Sequence, residues 1–304
     1  MAQTEPLTER LAKRLPFEGN YKTAVPGVAI HRFNLSSRPR ARVYKPMVIF
    51  IVQGEKLLRL DGQEVRYKQD HYFISGLPLQ LSSGMTGISS NKPYLAISVD
   101  LEDEVILELI HSMQLSSIKR TASKSTAAIE RITPEILDCL CRLLDQSEKE
   151  EEIDILATMI KRKLFYRVLQ GPFGSVLANQ HTFGTQQFYI SKVVNMIREN
   201  LGKTFAVKEL PEQCCMSILT FHRCFKEVMK LTPLQYQKNL KLQEAQNLML
   251  YKGLTVQQAA FEVGYESLRQ FSREYKRQFG NTPKKDIQEL KERLCKTSNW
   301  FSDR

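Results

Sequence analysis

The chain has 304 residues, of which 42% are hydrophobic and 25% charged, and its formal net charge is +11. These values are typical of an ordinary soluble protein about two domains long. The longest purely apolar run, Met47 to Val52, is far too short to span a bilayer. The polar N-terminal segment lacks the apolar core of a secretory signal, so we expect a cytoplasmic protein with no membrane partner.

Positive charge is concentrated toward the C-terminus. Residues 186–304 contain 20 Lys and Arg against 12 Asp and Glu, a net charge of +8, which leaves +3 for residues 1–185. A basic segment of this kind indicates a polyanionic partner such as nucleic acid.

From residue 25 to residue 100 the sequence is typical of β-structure. Short strand-like runs cover residues 47–52, 56–60, 65–67, 71–75 and 94–99. Asp61-Gly62 falls between two of these runs and predicts a hairpin turn. Many short strands at this spacing predict a sandwich or barrel.

After Leu101 the apolar residues follow a helical period. The resulting stripes have two interpretations, because a helix that covers the barrel and a helix at a dimer interface look alike in sequence. The dimer hypothesis uses Leu140, Leu144, Leu156, Ile160 and Leu164. The polar stretch 180–187 is suited to a domain linker.

The C-terminal part contains an internal repeat with an offset of fifty residues. Phe221-His-Arg-Cys-Phe-Lys226 is matched by Phe271-Ser-Arg-Glu-Tyr-Lys276, and Thr232-Pro233 by Thr282-Pro283. A fixed offset indicates a duplicated structural unit. We predict one helix over 217–228, with Ser217 as its N-cap and with Ile218, Phe221 and Phe225 facing inward.

The second copy has a clear helix-turn-helix pattern. Thr255 to Gln258 predicts a capping box, and Gly264 suits the turn between two helices. The helix predicted over 267–278 buries Leu268, Phe271 and Tyr275 and exposes its basic face. In such motifs the second helix enters the major groove of DNA.

The run from Ala260 to Pro283 resembles the signature of the AraC/XylS family of transcriptional regulators. The N-terminal half resembles the cupin-like domain of one branch of that family, in Ile51-Val-Gln-Gly54, Lys92 to Ala96 and Tyr166 to Pro172. The resemblance implies an α+β protein with a cupin-like regulatory or dimerisation domain and helical connector over 1–180. It implies a double helix-turn-helix DNA-binding domain over 181–304.

The resemblance also implies which residues face DNA. They are Leu219, His222, Arg223 and Lys226 in the first helix and Arg269, Ser272, Arg273 and Lys276 in the second. Arginine can bind guanine in a bidentate manner, whereas leucine can only contact a thymine methyl group. The implied partners are double-stranded DNA, a small-molecule effector, a second copy of the chain and, for an activator, RNA polymerase.

Two residues depart from the family pattern in the first motif. Pro211 stands where the family has a helix former, and Cys215 stands at the usual turn glycine. Because an interior proline removes a backbone hydrogen bond, we expect a distorted first motif that reads DNA less well than the second. The competing hypothesis is that the helix begins near Glu209, so that Pro211 falls in its first turn and is tolerated.

Catalysis has little support in the sequence. His31, His71 and His111 are isolated, and Cys214, Cys215 and His222 lack the spacing of a zinc knuckle, so we predict no catalytic residue, metal or cofactor. The six cysteines lack a disulfide pattern and are expected to be reduced. The alternative hypothesis is a cupin-like ligand-binding protein or metal-dependent enzyme with a vestigial DNA-binding domain.

Overall fold

The computed structural model describes residues 4–60, 63–113, 126–147, 152–201, 210–214 and 216–298. The chain divides into two compact units, one formed by residues 1–39 and 44–188 and the other by residues 40–43 and 189–304. The strands lie between residues 19 and 131, and the region 186–298 is helical, which confirms the predicted α+β class.

The strands form two sheets. They are β1 (Gly19–Lys22), β2 (Val28–Phe33), β3 (Ser37–Tyr44), β4 (Met47–Gln53), β5 (Glu55–Leu60), β6 (Gln63–Lys68), β7 (His71–Ser75), β8 (Leu79–Thr86), β9 (Tyr94–Asp100) and β10 (Ala127–Arg131). One sheet has the order β1-β2-β9-β4-β7-β10 and the other β3-β8-β5-β6. β5 and β6 pair antiparallel up to Leu60 and Gln63, as the predicted hairpin requires. The turn residues Asp61 and Gly62 lie outside the described residues.

The six-stranded sheet has two different faces because side chains alternate along a strand. One face of its central strands packs into a large core with the surrounding helices, through Val48, Phe50, Val52, Leu95, Ile97 and Val99. The side chains between them, such as Ile51 and Ala96, point to the opposite face. That face meets the four-stranded sheet, since the Tyr44 ring of β3 and the Phe73 ring of β7 are in edge contact with centroids 5.7 Å apart.

In the described part of the first unit, five α-helices accompany the sheets. They are α1 (Glu5–Arg14), α2 (Asp103–Ser112), α3 (Pro134–Gln146), α4 (Thr158–Gln170) and α5 (Gly174–His181), and a π-helical turn, Ile153–Ala157, leads into α4. The sequence analysis missed α1. Its signal was the pair Leu7 and Leu11 at helical spacing, and both side chains are fully buried in the core.

The predicted dimer seam is wrong for three of its five residues. Leu140, Leu144 and Leu164 are fully buried in the core of the first unit. They are unavailable to a partner because α3 and α4 pack against each other and bury their apolar stripes within the same unit. Leu156 is 38% exposed, and Ile160 is partly buried against the core.

The second unit contains six helices among its described residues. They are α6 (Gln186–Glu199), α7 (Ile218–Met229), α8 (Pro233–Tyr251), α9 (Val256–Glu262), α10 (Leu268–Phe279) and α11 (Pro283–Ser298). The first and third of these helices turn an apolar face inward, since Ile190, Val193, Val194, Ile197, Leu240, Ala245 and Leu248 are buried. No helix in the described ranges is both long and apolar enough to cross a membrane.

Candidate nucleic-acid interface

Helix α7 is defined by a cap at each end and an aromatic inner face. The Ser217 hydroxyl accepts a hydrogen bond from the Thr220 N–H at 3.3 Å, which confirms the predicted N-cap. Phe221 and Phe225 are fully buried, and the ring of Phe225 meets that of Tyr236 in α8 at 5.8 Å. The helix ends at Lys230, whose φ of 58° is left-handed.

The outer face of α7 carries the residues predicted to contact DNA. Leu219 is 85% exposed, and His222, Arg223 and Lys226 are exposed beside it. Ile218, which we predicted to face inward, is 61% exposed. It is the first helical residue, and its side chain leans toward the N-terminal end, away from the contacts of Phe221.

Pro211 does not interrupt an α-helix in the described part of the first motif, which corrects the sequence expectation. It lies in a turn before the single 3₁₀ turn Glu212–Cys214, and its carbonyl accepts hydrogen bonds from the N–H groups of Cys214 and Met216 at 3.1 and 3.2 Å. A proline at the start of a helical turn is well tolerated, because the backbone N–H that proline lacks would have no acceptor within the turn at this position. Residues 202–209 and Cys215 lie outside the described residues.

The second motif has the predicted helix-turn-helix geometry. Thr255 and Gln258 form the capping box, each side chain bonding the other residue's backbone at 3.2 and 3.0 Å. Ala259 and Ala260 are fully buried, as expected for a close approach of helices. Gly264 forms the turn with a φ of 79°.

Helix α10 presents a basic outer face above a buried aromatic pair. Phe271 and Tyr275 are fully buried, whereas Arg269, Arg273 and Lys276 are exposed and Ser272 is half-buried. Leu268 is 39% exposed rather than buried, because it is the first helical residue, as Ile218 is in α7. Among the described residues, neither Arg269 nor Arg273 has an ion-pair partner, which leaves both guanidinium groups available to a ligand.

Two carboxylates fix α10 to its neighbours, and sequence reasoning missed both. Glu274 accepts hydrogen bonds from the Lys238 ammonium of α8 at 3.0 Å and from the Tyr265 hydroxyl of the turn at 2.8 Å. Burial raises the pKa of Glu274, but the hydrogen bonds from Lys238, Tyr265 and Gln270 outweigh burial and lower it overall.

The second carboxylate, Asp286 of α11, is almost fully buried. It accepts hydrogen bonds from the Tyr275 hydroxyl at 2.9 Å and from the Gln246 amide of α8 at 2.6 Å. α8, α10 and α11 are therefore joined by polar side chains beneath the exposed arginines. The sequence signal was weak, since each carboxylate is one acidic residue in a basic region.

Two of the isolated histidines, His31 and His71, form hydrogen bonds with neighbouring polar groups. His31 is within 2.8 Å of the Ser98 hydroxyl and 2.7 Å of the Asn20 amide oxygen, and His71 lies 3.0 Å from the Gln69 carbonyl. Over the ranges that the structure describes, no three His, Cys, Asp or Glu side chains are grouped closely enough to hold a metal ion. Among the cysteines whose side chains the structure describes, Cys139, Cys141, Cys214 and Cys224, none is joined in a disulfide.

Known protein families match both the N-terminal and the C-terminal part of the chain. Residues 24–176 match the family described as the AraC-type transcriptional regulator N-terminus, and residues 210–288 match a helix-turn-helix domain. The transcriptional regulator AlkR of Acinetobacter baylyi is 40% identical over 95 residues, which are 31% of each chain. The regulator ArgR of Pseudomonas aeruginosa is 24% identical over 50% of this chain and 45% of its own. The matched regions thus span less than half the length of these relatives.

A solved structure has the same overall fold. ToxT of Vibrio cholerae, bound to (E)-4-(8-methylnaphthalen-1-yl)but-3-enoic acid, aligns over 86% of this chain and 97% of its own with a TM-score of 0.61 at 10% identity. The N-terminal family match alone covers half of the sequence. The chain belongs to the AraC family of transcriptional regulators.

Proposed function

We propose that this chain is a sequence-specific DNA-binding transcriptional regulator whose helices α7 and α10 enter successive segments of the major groove. The observation that carries the proposal is the structural repeat. Both helices have 12 residues, begin after a serine N-cap, bury an aromatic pair and expose basic side chains. A recognition helix needs a rigid inner face and side chains free to contact base edges.

The exposed residues differ in what they can recognise. Arg223, Arg269 and Arg273 can each donate two hydrogen bonds to the O6 and N7 atoms of guanine, and Leu219 can pack on a thymine methyl group. His222 and Ser272 can exchange hydrogen bonds with bases or phosphates. Lys226 and Lys276 are single flexible charges suited to phosphate contacts.

The two parts of the chain have different roles in the proposed regulator. Residues 1–180 act as a regulatory domain that binds a small-molecule effector, and residues 181–304 act as the DNA-binding domain. The ligand-bound ToxT of similar fold supports an effector, and the division into two compact units supports the boundary. The protein is not an enzyme, acts in the cytoplasm and, if it activates transcription, contacts RNA polymerase.

A homodimer is part of the same proposal, through a surface that keeps Leu156 of the predicted seam but not its three buried leucines. Ile155 and Leu156 of the π-helical turn and Met159 of α4 are 71%, 38% and 63% exposed. Clustered exposed apolar residues mark interaction sites more often than isolated ones do. Light scattering of the full chain tests this part, and a monomer at micromolar concentration contradicts it.

The DNA-binding proposal is tested by selecting bound duplexes from a random pool and measuring affinity by fluorescence anisotropy. We expect a preferred sequence, and an affinity that falls by about three orders of magnitude between roughly 50 and 200 mM salt, because bound lysines and arginines release counterions. Equal affinity for the selected and scrambled duplexes, or a flat salt response, contradicts the proposal. Stoichiometric metal in the purified protein would favour the metal-enzyme alternative instead.

A further inference from the structure

Aromatic side chains from both sheets meet in the interior between them. The Phe73 ring of β7 lies 5.7 Å from the Tyr44 ring of β3 and 6.2 Å from the Tyr67 ring of β6. Tyr94 of β9 is also buried, with 2% of its surface exposed. Tyrosine side chains from both sheets are therefore brought together in the interior of the sandwich.

A lysine enters the same interior. Lys56 of β5 is paired in register with Tyr67 on one side and with Met85 on the other. Its ammonium lies 5.0 Å from the centre of the Tyr44 ring and 6.0 Å from that of the Tyr94 ring. A cation beside aromatic faces is stabilised by the ring quadrupoles, which favours a position of the half-buried Lys56 ammonium against these two rings.

Two hydroxyl groups beside this lysine have no hydrogen-bond partner in the described part of the chain. They belong to Tyr67 and Tyr94, which are each 2% exposed. By contrast, the Tyr44 hydroxyl donates to the Ser83 hydroxyl at 2.6 Å. Burial raises the pKa of both Tyr67 and Tyr94, so both remain protonated donors at neutral pH. A buried polar group without a partner is unusual in a native protein and indicates a missing ligand atom or water.

Resting on the effector role proposed above, we propose that the sandwich interior binds a small monocarboxylate with an apolar body. Its carboxylate accepts hydrogen bonds from the Tyr67 and Tyr94 hydroxyls and pairs with the Lys56 ammonium. A carboxylate fits because it offers acceptors on two oxygens and one negative charge. An alkylammonium ion offers no acceptor and is repelled by the lysine.

The walls define the rest of the ligand. Phe73, Ile51 and Met85 are buried side chains of the sheets that enclose Lys56. An alkyl or aryl body packs against them with the apolar contacts that small-molecule sites generally use. The ligand therefore has an anionic head beside Lys56 and an apolar tail between the sheets.

The test compares octanoate with 1-octanol and octylamine on the full chain, by calorimetry and thermal unfolding. The three probes share a tail and differ in the head group. We expect octanoate alone to bind at submillimolar concentration. Lys56→Met, or the double change Tyr67→Phe with Tyr94→Phe, should weaken octanoate binding by about tenfold or more, since each removes a charge-assisted contact.

A matched control separates the site from simple packing. Tyr72 is a buried tyrosine on the other face of the sheet, and its hydroxyl donates to Glu130 at 2.8 Å. Tyr72→Phe should lower the melting temperature of the ligand-free protein and leave octanoate affinity unchanged. Tyr67→Phe and Tyr94→Phe should keep or raise that melting temperature, because each removes a buried hydroxyl that lacks a partner.

The outcomes distinguish this inference from the proposed effector role. No octanoate binding, equal binding of octanoate and 1-octanol, or unchanged octanoate binding by the Lys56 and tyrosine variants overturns the carboxylate site. If octanoate binds through these residues but leaves DNA affinity unchanged, the site stands and the effector role is wrong.

Discussion

At the scale of single residues, buried polar groups hold in place the helix whose exposed side chains are proposed to contact DNA. Glu274 is the clearest case because its carboxylate joins Lys238 of α8 and Tyr265 of the interhelical turn to α10. Its side chain is only 14% exposed, so these hydrogen bonds are partly shielded from water. Charge-assisted bonds in such a setting contribute more than exposed ion pairs do.

We predict that Glu274→Gln lowers the free energy of unfolding by about 1–2 kcal/mol, because the neutral amide replaces the charged acceptor of three donors. DNA affinity should fall as well, since α10 loses part of its support. Thermal unfolding and fluorescence anisotropy measure the two effects. Glu266→Gln, at an exposed position in the preceding turn, is the control. Equal behaviour of the two variants would show that the Glu274 contacts do not position the helix.

His31 gives the first unit a defined response to pH. Burial of the ring, together with the nearby Lys56 charge, lowers the pKa of His31 to about 4. Above about pH 6.5 the imidazole is neutral in both the folded and the unfolded chain. As the pH falls from about 6.5 to about 4, the unfolded chain binds the proton first, so the free energy of unfolding decreases across this window.

We predict that His31→Gln reduces this loss of stability between about pH 6.5 and pH 4.5. The glutamine can still hydrogen-bond near Ser98 but does not titrate. Melting temperatures across the pH range measure the effect, with His111→Gln as the exposed control. A pH dependence identical to wild type would contradict the lowered pKa of His31.

At the scale of elements, the two recognition helices end in the same way but with different residues. The repeat places Lys230 at the position of Gly280, and both adopt left-handed conformations, with φ of 58° and 84°. A side chain in this region is strained by about 1 kcal/mol, whereas glycine is not. The first helix therefore has a weaker C-terminal cap than the second. The predicted asymmetry of the two motifs in DNA reading stays a prediction, and Pro211, the cause inferred from sequence, does not interrupt an α-helix in the described residues.

We predict that Lys230→Gly raises the free energy of unfolding by roughly 0.5–1 kcal/mol and that Gly280→Ala lowers it by a similar amount. A Cβ atom at Gly280 would meet no atom within 4 Å, so the backbone conformation is the only source of strain there. Chemical denaturation of the two variants and wild type measures both changes. The idea fails if Lys230→Gly is neutral or destabilising while Gly280→Ala has no effect.

At the scale of the whole molecule, the repeat and the strand pattern made much of the fold predictable. Phe221 and Phe271 recur in register because each anchors the same kind of helix, and the run Met47 to Val52 is apolar because its strand is covered on both faces. The hydrogen bonds of Glu274 and Asp286 join residues far apart in sequence, so no local pattern reveals them. The grouping of Lys56, Tyr67 and Tyr94 could not be predicted either, because it depends on how the two sheets face each other.

The roles of the eight predicted DNA-contacting residues remain predictions. What the structure adds is that seven are exposed and Ser272 is half-buried. Exposure was predictable because these residues lie opposite the buried aromatic side chains on each helix. Base recognition depends on the DNA sequence and on the docking of each helix, and neither is encoded in a helical period.

The most direct measurement is the affinity of wild type, Arg223→Ala and Arg273→Ala for the selected duplex and for versions with either half scrambled. If α7 and α10 read successive segments, each variant should lose about 1–3 kcal/mol of discrimination in a different half of the sequence. Each should retain its preference in the other half. If both variants instead lose affinity uniformly for all duplexes, the arginines contact only phosphates, and the claim of two base-reading helices is wrong.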